Sequence, residues 1–343
     1  MLINLTDSQK LTETLDFSKL KNKRVLVTGA SGLIGLHMVS VLKELNKTHK
    51  YGIEIWCWVY SDVPSEFSSI FDGCVMIKSD LTDSKQIDYV QSLFTEILSG
   101  FDFIIHAACY GQPNKFTSQK LKTIHLNTQT TANLFNLLNK DGSFLFCSTS
   151  EVYSGIDEDG IDESRIGSTS PSHHRACYIE GKRCGETIIH SFCEMGYSAK
   201  IARISLAYGP GTKKNDSRVM NNFIQKGLEN KKIDLLDSGS SIRTYGYISD
   251  IVEMLYNILL HGKDIVYNVA GTSKISVLEL AKVVGGQLNC KVSVPIEYES
   301  MIGSPKIVHI STHKYMKEFG AKQFLGIDEG VSKTIEWQRN LYI

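Results

Sequence analysis

The chain of 343 residues lacks a surplus of charge of either sign, with 37 Lys and Arg against 37 Asp and Glu. A balanced chain has no global field to hold a nucleic-acid backbone or an anionic membrane surface, so any anion must be held locally. None of the eight cysteines forms a Cys-x-x-Cys pair, and no His-Glu-x-x-His occurs. That argues against a zinc site. Reduced, largely buried thiols in a cytosolic protein are expected, as in the apolar run Phe144-Leu145-Phe146-Cys147. No stretch approaches the ~20 apolar residues of a membrane span, and Met1 to Leu20 has no sustained apolar run of the kind found in signal peptides. Cytoplasmic residence is the expectation. Internal repeats and low-complexity tracts are missing too.

Hydrophobic residues make up 42% of the chain, enough for a real core. From about Lys23, short apolar β-rich runs alternate with amphipathic stretches. Strands are expected at 24–27, 53–59, 75–77, 103–105, 144–146 and 199–204, with helices at 33–45, 84–98, 121–138 and 176–194. This rhythm predicts an α/β fold: a Rossmann-type, doubly wound parallel sheet. After Gly209-Pro210-Gly211 the rhythm becomes irregular. The expected division is an N-terminal extension at 1–22, a dinucleotide-binding domain at 23–208 and a smaller C-terminal substrate-binding lobe at 209–343, with elements near 248–270 returning to the main sheet. Ser276-Val277-Leu278-Glu279 has the spacing of a capping box and predicts a helix start.

Thr28-Gly29-Ala30-Ser31-Gly32-Leu33-Ile34-Gly35 follows the first strand and opens the first predicted helix. Glycines there permit a tight turn and close approach to a pyrophosphate, which the helix N-terminus then favours. Gly29, Ser31, Gly32, Leu33, Ile34 and Gly35 are therefore candidate cofactor contacts. Asp80-Leu81, after the third strand, offers a carboxylate to an adenine amino group. His106-Ala107-Ala108 ends the fourth strand, where small residues let a dinucleotide pass the sheet edge; the histidine itself fits the core better than catalysis. The second strand lacks the terminal acid that binds the adenosine ribose of NAD. Asp62, displaced by a residue or two, is the substitute, and no Arg stands nearby for the 2′-phosphate of NADP.

Tyr178-Ile179-Glu180-Gly181-Lys182 is the only Tyr-x-x-x-Lys among 15 tyrosines. Residues four apart share a helix face, and a nearby ammonium is expected to lower the pKa of the phenol. Ser148-Thr149-Ser150-Glu151-Val152-Tyr153 places hydroxyls at the end of the preceding strand. Removal of a carbinol proton, with hydride passing to a nicotinamide, is the chemistry such a set supports.

In this order, the glycine loop, His-Ala-Ala, Ser-Thr-x-x-Val-Tyr and Tyr-x-x-x-Lys resemble the extended short-chain dehydrogenase/reductase family, also called the NAD-dependent epimerase/dehydratase family. The resemblance covers about Lys23 to the C-terminus and implies an enzyme acting on a nucleotide-diphosphate sugar through NAD-dependent oxidation at C4. The segments 148–153, 175–183 and 215–219 are most similar to UDP-glucuronate decarboxylases. That similarity implies Thr149, Tyr178 and Lys182 as the catalytic core, with Ser150 and Glu151 assisting at the ring. It also implies Tyr110, Arg218 and Arg243 as substrate contacts, and a homodimer built on the helices around 121–138 and 176–194. Ser150 departs from the Asp usual in 4,6-dehydratases. Leu206 stands where decarboxylases have Asn, and the loop Cys109-Tyr110-Gly111-Gln112-Pro113 differs from theirs. A 4-epimerase, a 4,6-dehydratase or a 4-dehydrogenase stays open within the family; outside enzymes, the alternative is a non-catalytic NAD(P)-binding sensor.

Overall fold

A computed structural model describes residues 6–93, 100–297 and 307–342. Six strands come first: β1 (Arg24–Thr28), β2 (Glu54–Val59), β3 (Val75–Lys78), β4 (Phe101–His106), β5 (Leu138–Thr149) and β6 (Ser198–Ile204). With the later strand Val266–Val269 they form one parallel sheet of seven. Its order is Val266–Val269, β6, β5, β4, β1, β2, β3. The inner strands are buried on both faces, which is why β1 and β4 read as continuous apolar runs. The chain runs outward from β1 to β3 and then returns to the other side of β1 as β4. The carboxyl ends of β1 and β4 thus border the crevice where doubly wound sheets bind ligands.

The helices that position the site are Leu33–Thr48 after β1 and Ala176–Glu194 before β6. The helix expected at 121–138 is broken. Lys120–Asn127 and Gln129–Leu134 are separate helices, and Leu138 already belongs to β5, opposite Phe101. The threonine run explains the break. Thr128 and Thr131 donate to the carbonyls of Ile124 and Asn127, four residues back, which bends a helix. Thr130 instead donates to Leu81 O. The helix expected at 84–98 covers Ser84–Ser92; residues 94–99 lie outside the described part.

A second sheet joins Ser273–Ser276, Ile242–Tyr247 and Ile307–Val308, and Leu206–Tyr208 pairs in parallel with Tyr245–Tyr247. The capping box forms, Ser276 Oγ accepting from Glu279 N while Glu279 accepts from Ser276 N. The helix Thr6–Thr14 packs on the main body, and Leu11, Phe17 and Leu20 enter its core. No helix among the described residues is long and apolar enough to cross a membrane.

Candidate active site

Each glycine of the loop has a distinct steric duty. Gly29 has φ +65°, and a Cβ there would lie 2.7 Å from Ala108 Cα. At Gly35 it would lie 2.4 Å from Gly29 O. A Cβ at Gly32 would meet only Gly29 O, at 3.2 Å. Gly29 and Gly35 therefore serve the fold, whereas Gly32 opens the first turn of Leu33–Thr48 to a ligand. Above it lies a cleft of about 420 Å³, lined by Gly29, Ser31, Gly32, Leu33, Ile34 and Gly35 and by Asp80, Leu81, Ala107, Ala108 and Tyr110 from the neighbouring strand ends. Amide donors, a helix N-terminus and a cradle without side chains fit a dinucleotide pyrophosphate.

His106 does not line this cleft. It is 1% exposed, with Nε2 bonded to Leu126 O at 3.1 Å and Nδ1 to Thr28 Oγ1 at 2.7 Å. Thr28 Oγ1 in turn accepts from Ala108 N at 3.3 Å. The histidine thus pins the cleft floor from below. Burial, and then the charge of Lys182, push its pKa down to about 3, so the ring is neutral. Asp62 does not reach the cleft either. Its carboxylate turns outward to Lys78, on the adjacent strand end, and is largely exposed. A cation one strand away outcompetes a solvent-filled cleft for this side chain. Asp80 stays in the cleft, but Lys122 is 2.5 Å from one oxygen and Thr82 donates to the other. Burial opposes the charge, yet these partners hold its pKa below the usual carboxylate value.

Tyr178 is not among the residues that line this cleft, but its neighbour Cys109 is. Thr149 Oγ1 accepts from Glu151 N at 3.2 Å, and Thr149 lies near enough to the Tyr178 phenol to favour its ionised form. The pKa of the phenol is raised, against the expectation, first by burial and then by Cys109 and Glu151; Thr149 and Arg175 pull it down. The reason is that Lys182 is engaged elsewhere: its ammonium donates to Cys147 O at 2.6 Å and lies 4.6 Å from the Phe146 ring centroid. Ser150 is buried at the start of the turn Ser150–Tyr153. Glu151 is gripped by Arg175 through Nε at 3.0 Å and through Nη2. Arg243 has Glu151 and Arg175 among its charged neighbours, and burial lowers its pKa. Arg218 lines the outer cleft and chelates the buried Asp216, with Nη2 2.7 Å from Oδ2.

The family model described as "NAD dependent epimerase/dehydratase family" matches residues 25–270. The chain belongs to this family. UDP-glucuronic acid decarboxylase 1 of Danio rerio is 26% identical over 98% of this chain and 77% of its own length. UDP-glucuronic acid decarboxylase 6 of Arabidopsis thaliana is 31% identical over 77% of this chain and 74% of its own. The fold matches that of UDP-glucose 4-epimerase from Thermotoga maritima, solved with UDP-glucose, at a TM-score of 0.78 and 18% identity, covering 93% of this chain and all of that one.

Within this epimerase/dehydratase framework, four contacts escape a reading of the sequence. Phe116 stacks on Tyr178, centroids 4.7 Å apart and planes within 7°. Arg175 lies 5.0 Å from the centroid of the same ring. Glu186 of the helix Ala176–Glu194 accepts from Ser148 at 2.5 Å and pairs with Arg203 of β6 at 2.7 Å. This buried pair ties the helix carrying Tyr178 to the strand ends carrying Thr149. Removing one partner from such a pair costs about 3–5 kcal/mol. An arginine in β6 and a glutamate eight residues after Tyr178 are visible in sequence, but nothing in their spacing says that they meet.

Proposed function

We propose that the chain is an NAD-dependent nucleotide-sugar decarboxylase acting on UDP-glucuronate. The observation that carries this reading is the cluster in which Phe116 stacks on Tyr178 and Arg175 spans that Phe116 ring and Glu151, with Lys182 one helical turn on from Tyr178 and Thr149 and Ser150 at the end of β5. NAD supplies the hydride acceptor when bound, and its positively charged ring adds the cation that the phenol lacks. Tyr178 then takes the proton of the C4 hydroxyl, with Thr149 holding the same oxygen. A C4 ketone makes the C6 uronate a β-keto acid. The C5–C6 bond breaks, its electron pair moves toward the C4 carbonyl, and carbon dioxide leaves. A proton returns to C5, and Tyr178 returns its proton as the ketone is reduced.

Glu151 cannot expel the carboxylate by simple repulsion, because Arg175 already neutralises it. The pairing has a second effect. It keeps the Arg175 guanidinium occupied, so the substrate carboxylate is not fixed too tightly in the ground state, which would oppose loss of its charge. The decarboxylase relatives and the Ser-Glu pair after Thr149 support this choice over water elimination. Incubation with a panel of nucleotide sugars and mass analysis tests it. Loss of carbon dioxide from UDP-glucuronate is expected; loss of water or epimerisation of a neutral sugar overturns it.

The same reading takes residues 23–208 as the dinucleotide-binding unit, 209–343 as mainly the substrate lobe and 1–22 as an extension. It places the enzyme in the cytoplasm as a homodimer. Leu121, 83% exposed, and the partly exposed Ile124 lie on the helix beside the catalytic one and support that pairing. A monomer in sedimentation equilibrium would exclude the pairing.

A further inference from the structure

The cleft above the glycine loop has a floor and a roof from different parts of the chain. Its floor is the loop with the neighbouring strand ends. Its roof is the segment after Pro210, from which Thr212, Lys213, Lys214, Asn215, Asp216 and Arg218 line the cleft. The roof belongs to no strand and no helix, for it lies between Leu206–Tyr208 and Val219–Asn230. Its backbone amides and carbonyls find no ladder, so the buried ones need partners from elsewhere. Asn215 adds strain, with φ +62° in the left-handed region. A residue with a side chain stays there only where its surroundings hold it, although asparagine bears it better than most.

The helix Ile327–Tyr342 supplies those partners. Trp337 donates to Thr212 O at 3.0 Å, and Tyr342 Oη accepts from Asn215 N at 2.7 Å. Gln338 Nε2 donates to Asn221 Oδ1 at 2.8 Å, just past the roof. Gln338 and Tyr342 stand four apart and share a helix face. The Lys214 ammonium lies 5.3 Å from the centroid of the Tyr342 ring, within cation–π range. Trp337 also stacks on Phe67 of the turn Ser65–Ile70 that follows β2, centroids 5.7 Å apart and planes within 13°. One helix therefore fastens the roof to the body that carries the floor.

Lys213 is the roof side chain that this fastening sets. It stands between the two tied backbone groups, those of Thr212 and Asn215, and its Nζ lies 3.2 Å from Ser31 Oγ of the glycine loop. Its charged neighbours are Lys115, of like sign, and Glu66, and among the described residues it forms no ion pair. A half-buried ammonium over an open helix N-terminus fits an anion bound between the two, and the glycine loop is where a dinucleotide presents its diphosphate.

We propose that Tyr342 is a positioning residue for the cofactor: by holding Asn215 in its left-handed conformation it fixes the roof so that the Lys213 ammonium meets the dinucleotide diphosphate on the glycine loop. The inference rests on the dinucleotide cleft described above and is independent of the sugar reaction.

Calorimetric titration of NAD into the full chain and its variants tests this without turnover. Tyr342→Phe keeps the ring under Lys214 and deletes only the oxygen that accepts the Asn215 N–H. NAD binding should weaken by roughly fivefold, the scale of one hydrogen bond, with the melting temperature little changed. Lys213→Gln should weaken NAD by about tenfold, and Lys213→Arg should restore most of that loss. The double variant Tyr342→Phe, Lys213→Gln should bind no more weakly than Lys213→Gln alone, because Tyr342 acts through Lys213. Additive losses in the double variant would overturn the proposal, since Tyr342 would then serve the fold only. Unchanged NAD affinity in Tyr342→Phe or in Lys213→Gln also overturns it. A natural chain that binds no NAD overturns the cleft reading together with this proposal, whereas loss of the decarboxylase assignment leaves all these affinities as predicted.

Discussion

Arg175 holds both carboxylate oxygens of Glu151 while its guanidinium lies over the ring that stacks on Tyr178. One side chain therefore orders both Glu151 and the ring that faces Tyr178, the proposed proton acceptor. Arg175 also pulls the phenol pKa down. Arg175→Gln should lower turnover by roughly tenfold or more, a pKa unit being about tenfold in phenolate. Removing the cation raises the phenol pKa, so the acid limb of the pH–rate profile moves to higher pH. A profile identical to that of the natural enzyme would show that Arg175 acts only on the fold.

Tyr178→Phe removes the proposed proton acceptor while leaving Phe116 a ring to stack on. Dinucleotide binding by calorimetry should persist, and turnover should fall by about 10²–10⁴-fold. Near-normal turnover would remove Tyr178 from the chemistry.

The loop glycines separate binding from folding. Gly32→Val places a branched side chain at the mouth of the pyrophosphate cradle but meets only one protein atom, at 3.2 Å. Cofactor binding should be lost, with stability changed by about 1 kcal/mol or less. Gly35→Ala drives a methyl to 2.4 Å from Gly29 O, and the melting midpoint should drop, at a cost of about 1–3 kcal/mol. Thermal melts paired with calorimetry distinguish the two. Equal effects of both variants on folding would contradict the division of labour.

His106 takes its proton near pH 3 in the folded protein and near 6.5 in the unfolded chain. As the pH falls below 6.5 the unfolded state protonates first. Stability present above that pH is then lost toward pH 3, at up to about 1.4 kcal/mol per pH unit. His106→Gln should be less stable near neutrality yet lose stability less steeply in acid. Urea titrations of both proteins between about pH 6.5 and 4 give the two slopes, and parallel slopes would refute the assignment.

The main sheet is legible in the sequence because β1 and β4 are buried on both faces and carry the apolar runs Val25-Leu26-Val27 and Phe103-Ile104-Ile105. The helix carrying Tyr178 begins and ends where its pattern predicts, at Ala176 and Glu194. The overrun of the helix at 121–138 has a local cause, the back-bonding threonines at 128 and 131. The site is legible where spacing along one helix or one loop encodes it, as for Tyr178 with Lys182 and for Gly29 to Gly35. It is illegible where partners come from distant segments. Asp62 is drawn away by Lys78 across a strand pair, Glu151 is taken by Arg175 from 24 residues on, and Lys213 approaches Ser31 from 182 residues away. Contacts of that kind depend on packing, and no periodicity records them.

Single turnover with UDP-glucuronate, following reduced cofactor by absorbance and carbon dioxide by trapping, tests the central claim most directly. The predicted course is a transient rise and fall of reduced cofactor, with one equivalent of carbon dioxide released and a nucleotide pentose as product. A protein that leaves UDP-glucuronate untouched while converting a neutral nucleotide sugar, with no carbon dioxide released, would contradict it.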